Sequence, residues 1–347
     1  MSAGALIPFT PLFVTLAVTG AVGNAGLLLS VKRLATGPRC HLSPPQPPLL
    51  LPDAIVVHLG TSCLLQSLWS NAAILMQGRV CCTDVSDAAC SVTSFMTRYL
   101  STAGGWFTLL LSLYRYAKLR TLDRPSLAMT RLEGATWPRR CCALLWAALA
   151  LVHSPTLWFA FVMRNENDYG GGGGGGGGYP LASSANATGA CGTGPCLCLS
   201  DRSPGLLRYW QVVNYCGTWL PVALMLLSNT QMVRQLWRHR RSVDAESNLG
   251  AAVGSGRARA CVQAAKVVVL ATVTFYVACK GALGAALTVS IAKGGVGVPL
   301  AATLTMFVAG PLFSALCPFA ILTGDAKKRR ALRAVLQRAR KRSGGAE

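Results

Sequence analysis

Acidic and imidazole side chains are the scarcest chemistry in this chain. Its 347 residues hold 12 Asp and Glu and 4 His, and charged residues of either sign make up only 13%. The histidines, His41, His58, His153 and His239, are scattered, which argues against a hydrolase or any other enzyme and against a histidine-rich metal centre. No carboxylate falls inside a long apolar run. Asp84, Asp87, Glu166, Asp168 and Asp201 lie between runs, Asp53 at the edge of one, and the remainder in basic segments. The acidic relays and internal repeats that mark many transporters are therefore both missing. With so little charge and 52% hydrophobic residues, an ordinary soluble fold is excluded as well.

What is present reads as helices made for lipid. Apolar runs recur at about residues 5–31, 54–77, 90–117, 141–163, 208–233, 263–290 and 299–323. Each meets the roughly 20 residues that a helix needs to cross a hydrocarbon core of about 30 Å. The runs from Cys141 to Met163 and from Pro299 to Thr323 contain no charge at all. The expected fold class is an all-α membrane protein, a bundle of seven transmembrane helices followed by a short amphipathic cytoplasmic helix. The first run has little before it and no basic stretch, so it is expected to be retained as a signal anchor. Pro155, Pro221, Pro311 and Pro318 fall within runs and predict kinks with freed carbonyls. Nothing in the pattern calls for a cofactor or a metal.

The formal net charge of +21 could signal nucleic acid, but its placement points elsewhere. With seven spans, the segments after the first, third and fifth share one side with the C-terminal tail. Most Lys and Arg lie there: Lys32 and Arg33, then Arg115 to Arg140, Arg234 to Lys266, and Lys327 to Arg342. The positive-inside rule then puts the N-terminus outside and the C-terminus in the cytoplasm of a multi-pass plasma-membrane protein. No nucleic-acid partner is expected. Beyond Thr323, Leu332, Val335, Leu336 and Ala339 recur at helical spacing among basic residues, the pattern of a helix lying on an anionic inner leaflet.

The opposite face carries a long loop from Arg164 to Leu207, with nine consecutive glycines, Gly170 to Gly178, and the sequon Asn186-Ala187-Thr188. Glycine offers no side chain to bury, so that run reads as linker. Asn186 reads as a glycosylation acceptor, which requires the same orientation. Cys81, Cys82, Cys90, Cys191, Cys196 and Cys198 fall on this oxidising side. A bridge from Cys90, at the outer tip of the third run, to the long loop would pin that loop over the bundle. The competing zinc site, Cys191 with Cys196 and Cys198, lacks a nearby histidine and a suitable spacing.

Short motifs then line up. From Cys90 to Arg115 is 25 residues, the separation that rhodopsin-like G-protein-coupled receptors keep between their disulfide cysteine and the arginine of D-R-Y; here the motif reads Tyr114-Arg115-Tyr116. "GAVGNAGLLL" at Gly20 to Leu29 resembles their G-x-x-G-N signature, with Asn24 as its polar residue. Cys63 stands where most of these receptors have a sodium-binding aspartate, and "LCPFAIL" at Leu316 to Leu322 replaces N-P-x-x-Y. Those departures resemble one branch, the vomeronasal type-1 receptors and their fish olfactory class A-related relatives. "LPDAIVVHL" at Leu51 to Leu59 is similar to that family's P-x-D-L-I-x-x-H-L, Arg98 to the arginine eight residues after its cysteine, and "MVRQLWRHRRSV" from Met232 to its M-V-x-x-L-x-R-H. "AAKVVVLATVTFYV" from Ala264 resembles the family's sixth span. Ser101 stands where the family commonly has a second arginine.

The resemblance implies a chemosensory receptor that takes a small pheromone or odorant and activates a heterotrimeric G protein. Its receptor domain would cover residues 1–323, with a basic cytoplasmic helix and tail at 324–347. It implies Cys198 as the partner of Cys90, because "CLSDRSP" leads into the fifth run as the family's loop does. It also implies Arg115, Tyr116, Arg240 and Arg241 as residues that meet the G protein. A bitter-type taste receptor and a small-solute transporter are the competing readings.

Two cations need a physical account of their own. Arg98 lies about 12 Å below Cys90 at 1.5 Å per residue, and Lys280 reaches a comparable depth in the sixth run. Inserting a cation there costs at least about 2.5 to 3.5 kcal/mol unless water, carbonyls or an anion compensate. Both are expected to contact an anionic ligand; alternatively Arg98 bonds to helix carbonyls and loop acids while Lys280 snorkels. Tyr99, Trp106, Gln66, Tyr215, Trp219, Tyr276 and Met306 are candidates to complete the pocket, against the reading that they only pack.

Overall fold

The structure, a computed structural model, describes residues 10–36, 51–77, 86–123, 137–163, 197–200, 204–247, 274–290, 292, 300–324 and 326–343. Three long helices come first: α1 (Thr10–Thr36), α2 (Leu51–Gln77) and α3 (Asp87–Asp123). α4 (Trp137–His153) and a short α5 (Thr156–Phe159) lead into β1 (Ala160–Met163). β1 pairs antiparallel with β2 (Leu197–Ser200), placing Val162 opposite Cys198. α6 (Pro204–Asn214) passes through a π-helical turn, Tyr215–Trp219, into α7 (Leu220–Ser247). Residues 274–290 form α8, and α9 (Leu300–Gly324) and α10 (Ala326–Ser343) follow. α1, α2 and α3 pack in sequence order, α9 returns against α1 and α2, and α3 runs through the centre, touching α2, α4, α5, α7 and the β-ribbon.

The exterior is apolar and the interior partly polar. Val22, Leu144, Leu151, Trp158 and Leu227 are each more than 60% exposed, while Asn24, Ser62, Gln66, Ser67, Ser314 and Lys280 are buried. In water such a surface would be a large unpaired apolar patch; in lipid it is the outer face of a helical membrane protein. Several buried hydroxyls are satisfied within their own helices: Ser30 donates to the Leu27 carbonyl, Ser62 to Leu59, Thr108 to Gly104 and Ser228 to Met225. Asn24 ties α1 to α9 by donating to the Ser314 carbonyl at 2.9 Å. Beside it α1 approaches α2 so closely that a Cβ at Gly20 would collide with the Ser67 hydroxyl, the use of small residues that lipid-phase packing favours.

By length and apolarity alone, one described helix, Pro11–Ala35, qualifies as a membrane span. Val308–Thr323 qualifies together with Lys328–Gln337, to which it is bent by 103°. Residues 5–9 of the expected first run and 263–273 of the expected sixth lie outside the described residues. The expected helix over 141–163 is corrected. It stops at His153, and 160–163 is a strand, so the fold is predominantly rather than wholly α. The reason is local: Pro155 has no N–H to continue the ladder and its ring clashes one turn back. Pro221 acts differently. The π turn immediately before it, with the Leu220 N–H on the Tyr215 carbonyl, widens the helix where the proline ring would otherwise crowd it.

Candidate functional site

The sequence candidates separate into three places. In the first, Arg98 lays its guanidinium carbon 4.2 Å from the centroid of the Trp210 ring. Trp210 belongs to a small apolar cluster with Leu206, Val213 and Tyr209 at the start of α6, and Tyr209 donates its hydroxyl to the Val152 carbonyl at the end of α4. One turn along α3, Thr102 Oγ1 lies 3.1 Å from His153 Nε2. Arg98 thus faces the crevice between α3, α4 and α6. The buried Trp210 Nε1, His153 Nδ1 and Thr156 Oγ1 have no hydrogen-bond partner among the described residues.

The second place is the centre of the bundle. Lys280 is 3% exposed; its Nζ donates to the carbonyl and to the hydroxyl of Ser101, each at 3.0 Å, and sits 4.7 Å above the Phe313 ring. The sixth-run lysine thus bonds across the bundle to Ser101 of α3. An arginine at 101 would set two cations in contact here. Tyr276, one turn earlier on α8, meets the other aspect of Phe313 edge-on, with ring centroids 5.4 Å apart. Gln66 is 1% exposed, and its Oε1 has no partner among the described residues. A Cβ at Gly104 would lie 3.5 Å from Phe313 and 3.9 Å from Gln66 Oε1, and one at Gly310 would lie 3.2 Å from Gln66 Nε2. The two glycines thus admit the Gln66 amide between α3 and α9. Gln66, Lys280 and Tyr276 are brought together; the other aromatic candidates are not.

Tyr99 turns to α4, donating to the Trp146 carbonyl at 3.4 Å and stacking on Phe95. Trp219 donates to Thr288 Oγ1 at 3.3 Å, joining the π turn to α8. Tyr215 is 53% exposed and points away from the bundle. Trp106 packs against the core, and Met306 is placed only by its helical backbone on α9. Phe313, Trp210, Ser101 and His153 were not singled out as site residues in the sequence. Phe313 and Trp210 look like ordinary packing aromatics there, and nothing local marks their cationic partners.

The third place is the half of the bundle further along α3 from Cys90, where a cavity opens between α2, α3, α8 and α9. Leu59, Leu111, Phe275, Tyr276, Phe313 and Ile321 are among its lining residues, with Arg115 as the only charged one. Tyr276 and Phe313 both line this cavity, and Phe313 also lies beneath the Lys280 ammonium. Tyr116 is half-buried; Arg240 and Arg241 lie on α7, known by their backbone alone. Lys328 of α10 pairs with Asp53 at the start of α2, 2.8 Å apart, tying the basic helix to the bundle.

Cys90 is disulfide-bonded. Cys198 lies on β2, whose ribbon packs on α3. Asn186, Cys191 and Cys196 are outside the described residues. Among the described residues no group of His, Cys, Asp and Glu could hold a metal.

No protein-family model matches the chain. It is similar to the olfactory receptor class A-like protein 4 of Danio rerio, 25% identical over 334 residues, covering 94% of this chain and 89% of that protein. The similarity is distant but spans nearly the whole length of both.

Proposed function

We propose that the chain is a seven-transmembrane, rhodopsin-like G-protein-coupled receptor of the vomeronasal type-1 and fish olfactory branch. Its N-terminus would be extracellular, and its ligand a small, anionic odorant or pheromone. The observation that carries the reading is the end-to-end similarity to an olfactory receptor-like protein, which embraces the whole bundle rather than one motif. The geometry supports it with a cation in each half of α3. Arg98 in the outer half has its flat face on Trp210, and a guanidinium recognises carboxylate or sulfate through its N–H edge, bidentately. Arg115 lines an apolar inner cavity of the kind into which the terminal helix of a G protein could insert, and Tyr116, Arg240 and Arg241 would meet the same partner. The Cys90 bridge runs to Cys198, and Asn186 carries glycan. The chain itself catalyses nothing; its output is nucleotide exchange on the G protein.

The test is ligand-dependent GTP exchange with purified heterotrimer and the chain in lipid nanodiscs, screened against small acids, amines and steroid sulfates. Exchange driven by acids supports the reading. Solute uptake into vesicles without any G protein replaces it with a transporter, and exchange driven only by amines removes the anionic ligand.

A further inference from the structure

The Gln66 carbonyl oxygen and the Lys280 ammonium pose a matched pair of demands. Both groups are buried, and both come to one turn of α3: Lys280 Nζ bonds to Ser101 and lies over Phe313, and Gln66 Oε1 lies 3.9 Å from where a Cβ at Gly104 would stand. Lys280 offers donors and carries charge; Gln66 Oε1 is an acceptor with no donor among the described residues. A buried carbonyl without a partner is destabilising, so a ligand group that supplies its missing hydrogen gains what the empty protein lacks. We propose that Gln66 and Lys280 form a subsite for a ligand hydroxyl, which accepts from Lys280 Nζ and donates to Gln66 Oε1.

Other groups fail one half of the pair. A carboxylate satisfies Lys280, but sets its second oxygen against the Gln66 oxygen, acceptor against acceptor. An ammonium satisfies Gln66 and is repelled by Lys280. An ether or ketone accepts from Lys280 and leaves Gln66 Oε1 unpartnered, and a methyl group serves neither. Only a neutral group that both donates and accepts fits, and a site built to bond a hydroxyl discriminates strongly against analogues without it. Gly104 and Gly310 matter because a side chain at either would crowd the amide.

The inference rests on the reading of the chain as a small-molecule receptor, and its test is chosen to separate the two. The probes are straight-chain acids from hexanoic to dodecanoic, each ending in a hydroxyl, methoxy, amino or methyl group. Thermal shift of the full chain in nanodiscs reads binding directly. The expected result is that at some chain length the hydroxyl acid binds at least about tenfold more tightly than its methoxy, amino and methyl counterparts. In Gln66→Met the hydroxyl and methoxy acids become equal, and in Lys280→Met both weaken together. If no length shows a hydroxyl preference in the unmodified chain, or if the preference survives Gln66→Met, the subsite is wrong. GTP exchange judges the receptor reading separately: hydroxyl-selective binding without exchange keeps the subsite and sinks the receptor, and exchange without hydroxyl preference does the reverse.

Discussion

Arg98 and Arg115 are the same residue on the same helix, 17 positions apart, or about 25 Å along the axis. Their surroundings differ in kind. Arg98 stacks on Trp210 beside buried polar atoms that lack partners among the described residues; Arg115 lines an otherwise apolar cavity. A cation among unpaired polar groups suits the recognition of a small polar ligand. A cation at the rim of an apolar hollow suits an amphipathic helix that brings its own carbonyls and hydrophobic face. Position along α3 thus assigns different chemistry to one side-chain type.

The most severe test of the outer half is its covalent tether. Cys90→Ser should remove the receptor from the cell surface, since losing a native disulfide commonly costs about 2 to 5 kcal/mol. Cys198→Ser should match it and Cys191→Ser should not; surface labelling of the three variants decides the pairing. Next come the two arginines. Arg115→Ala should abolish GTP exchange while ligand binding stays within about threefold, because Arg115 itself lies about 25 Å along α3 from Arg98. Arg98→Ala should do the opposite, lowering acid potency by about one to two decades, the loss of a charge-assisted pair of roughly 1.5 to 3 kcal/mol. Arg98→Lys should recover part of that, since the charge remains without the fork. Should both alanine variants fail in the same assay, the division of α3 into two functions collapses.

Smaller effects probe stability. Lys280→Met removes a buried charge at similar volume, and such replacements are often neutral or stabilising; its melting temperature should equal or exceed that of the unmodified chain. Lys328→Gln should lower stability by about 1 to 3 kcal/mol, because Lys328 keeps only 8% side-chain exposure and its loss leaves Asp53, at 22%, without its cation. Thermal denaturation in nanodiscs measures both.

The sequence made some of this legible and concealed the rest for identifiable reasons. The inward stripe of α1, Phe13, Leu16, Gly20, Asn24, Leu27 and Val31, recurs at helical spacing, and the G-x-x-G-N motif marks its polar contact. The helical character of the apolar runs followed from length, though only part of their expected extent is described. The strand at 160–163 was hidden because a short apolar run reads alike as helix or strand, and only pairing with 197–200 decides it. The depth of Lys280 could be counted, but not its bond to Ser101, since contacts between residues so distant in sequence depend on how helices rotate. For the same reason Tyr99, Tyr215 and Trp219, aromatic candidates by depth, turned towards α4, outward and towards α8.

The buried Lys280 ammonium has an electrical consequence, because a formal charge held inside a membrane-spanning bundle lies within the membrane potential. Moving a unit charge through the full field is worth about 2.3 kcal/mol per 100 mV. Lys280 holds its ammonium over the Phe313 ring, so any rotation of α8 that moves it along the membrane normal moves charge through part of that field. We expect the half-maximal ligand concentration to move with holding potential under voltage clamp, and to stop moving in Lys280→Met.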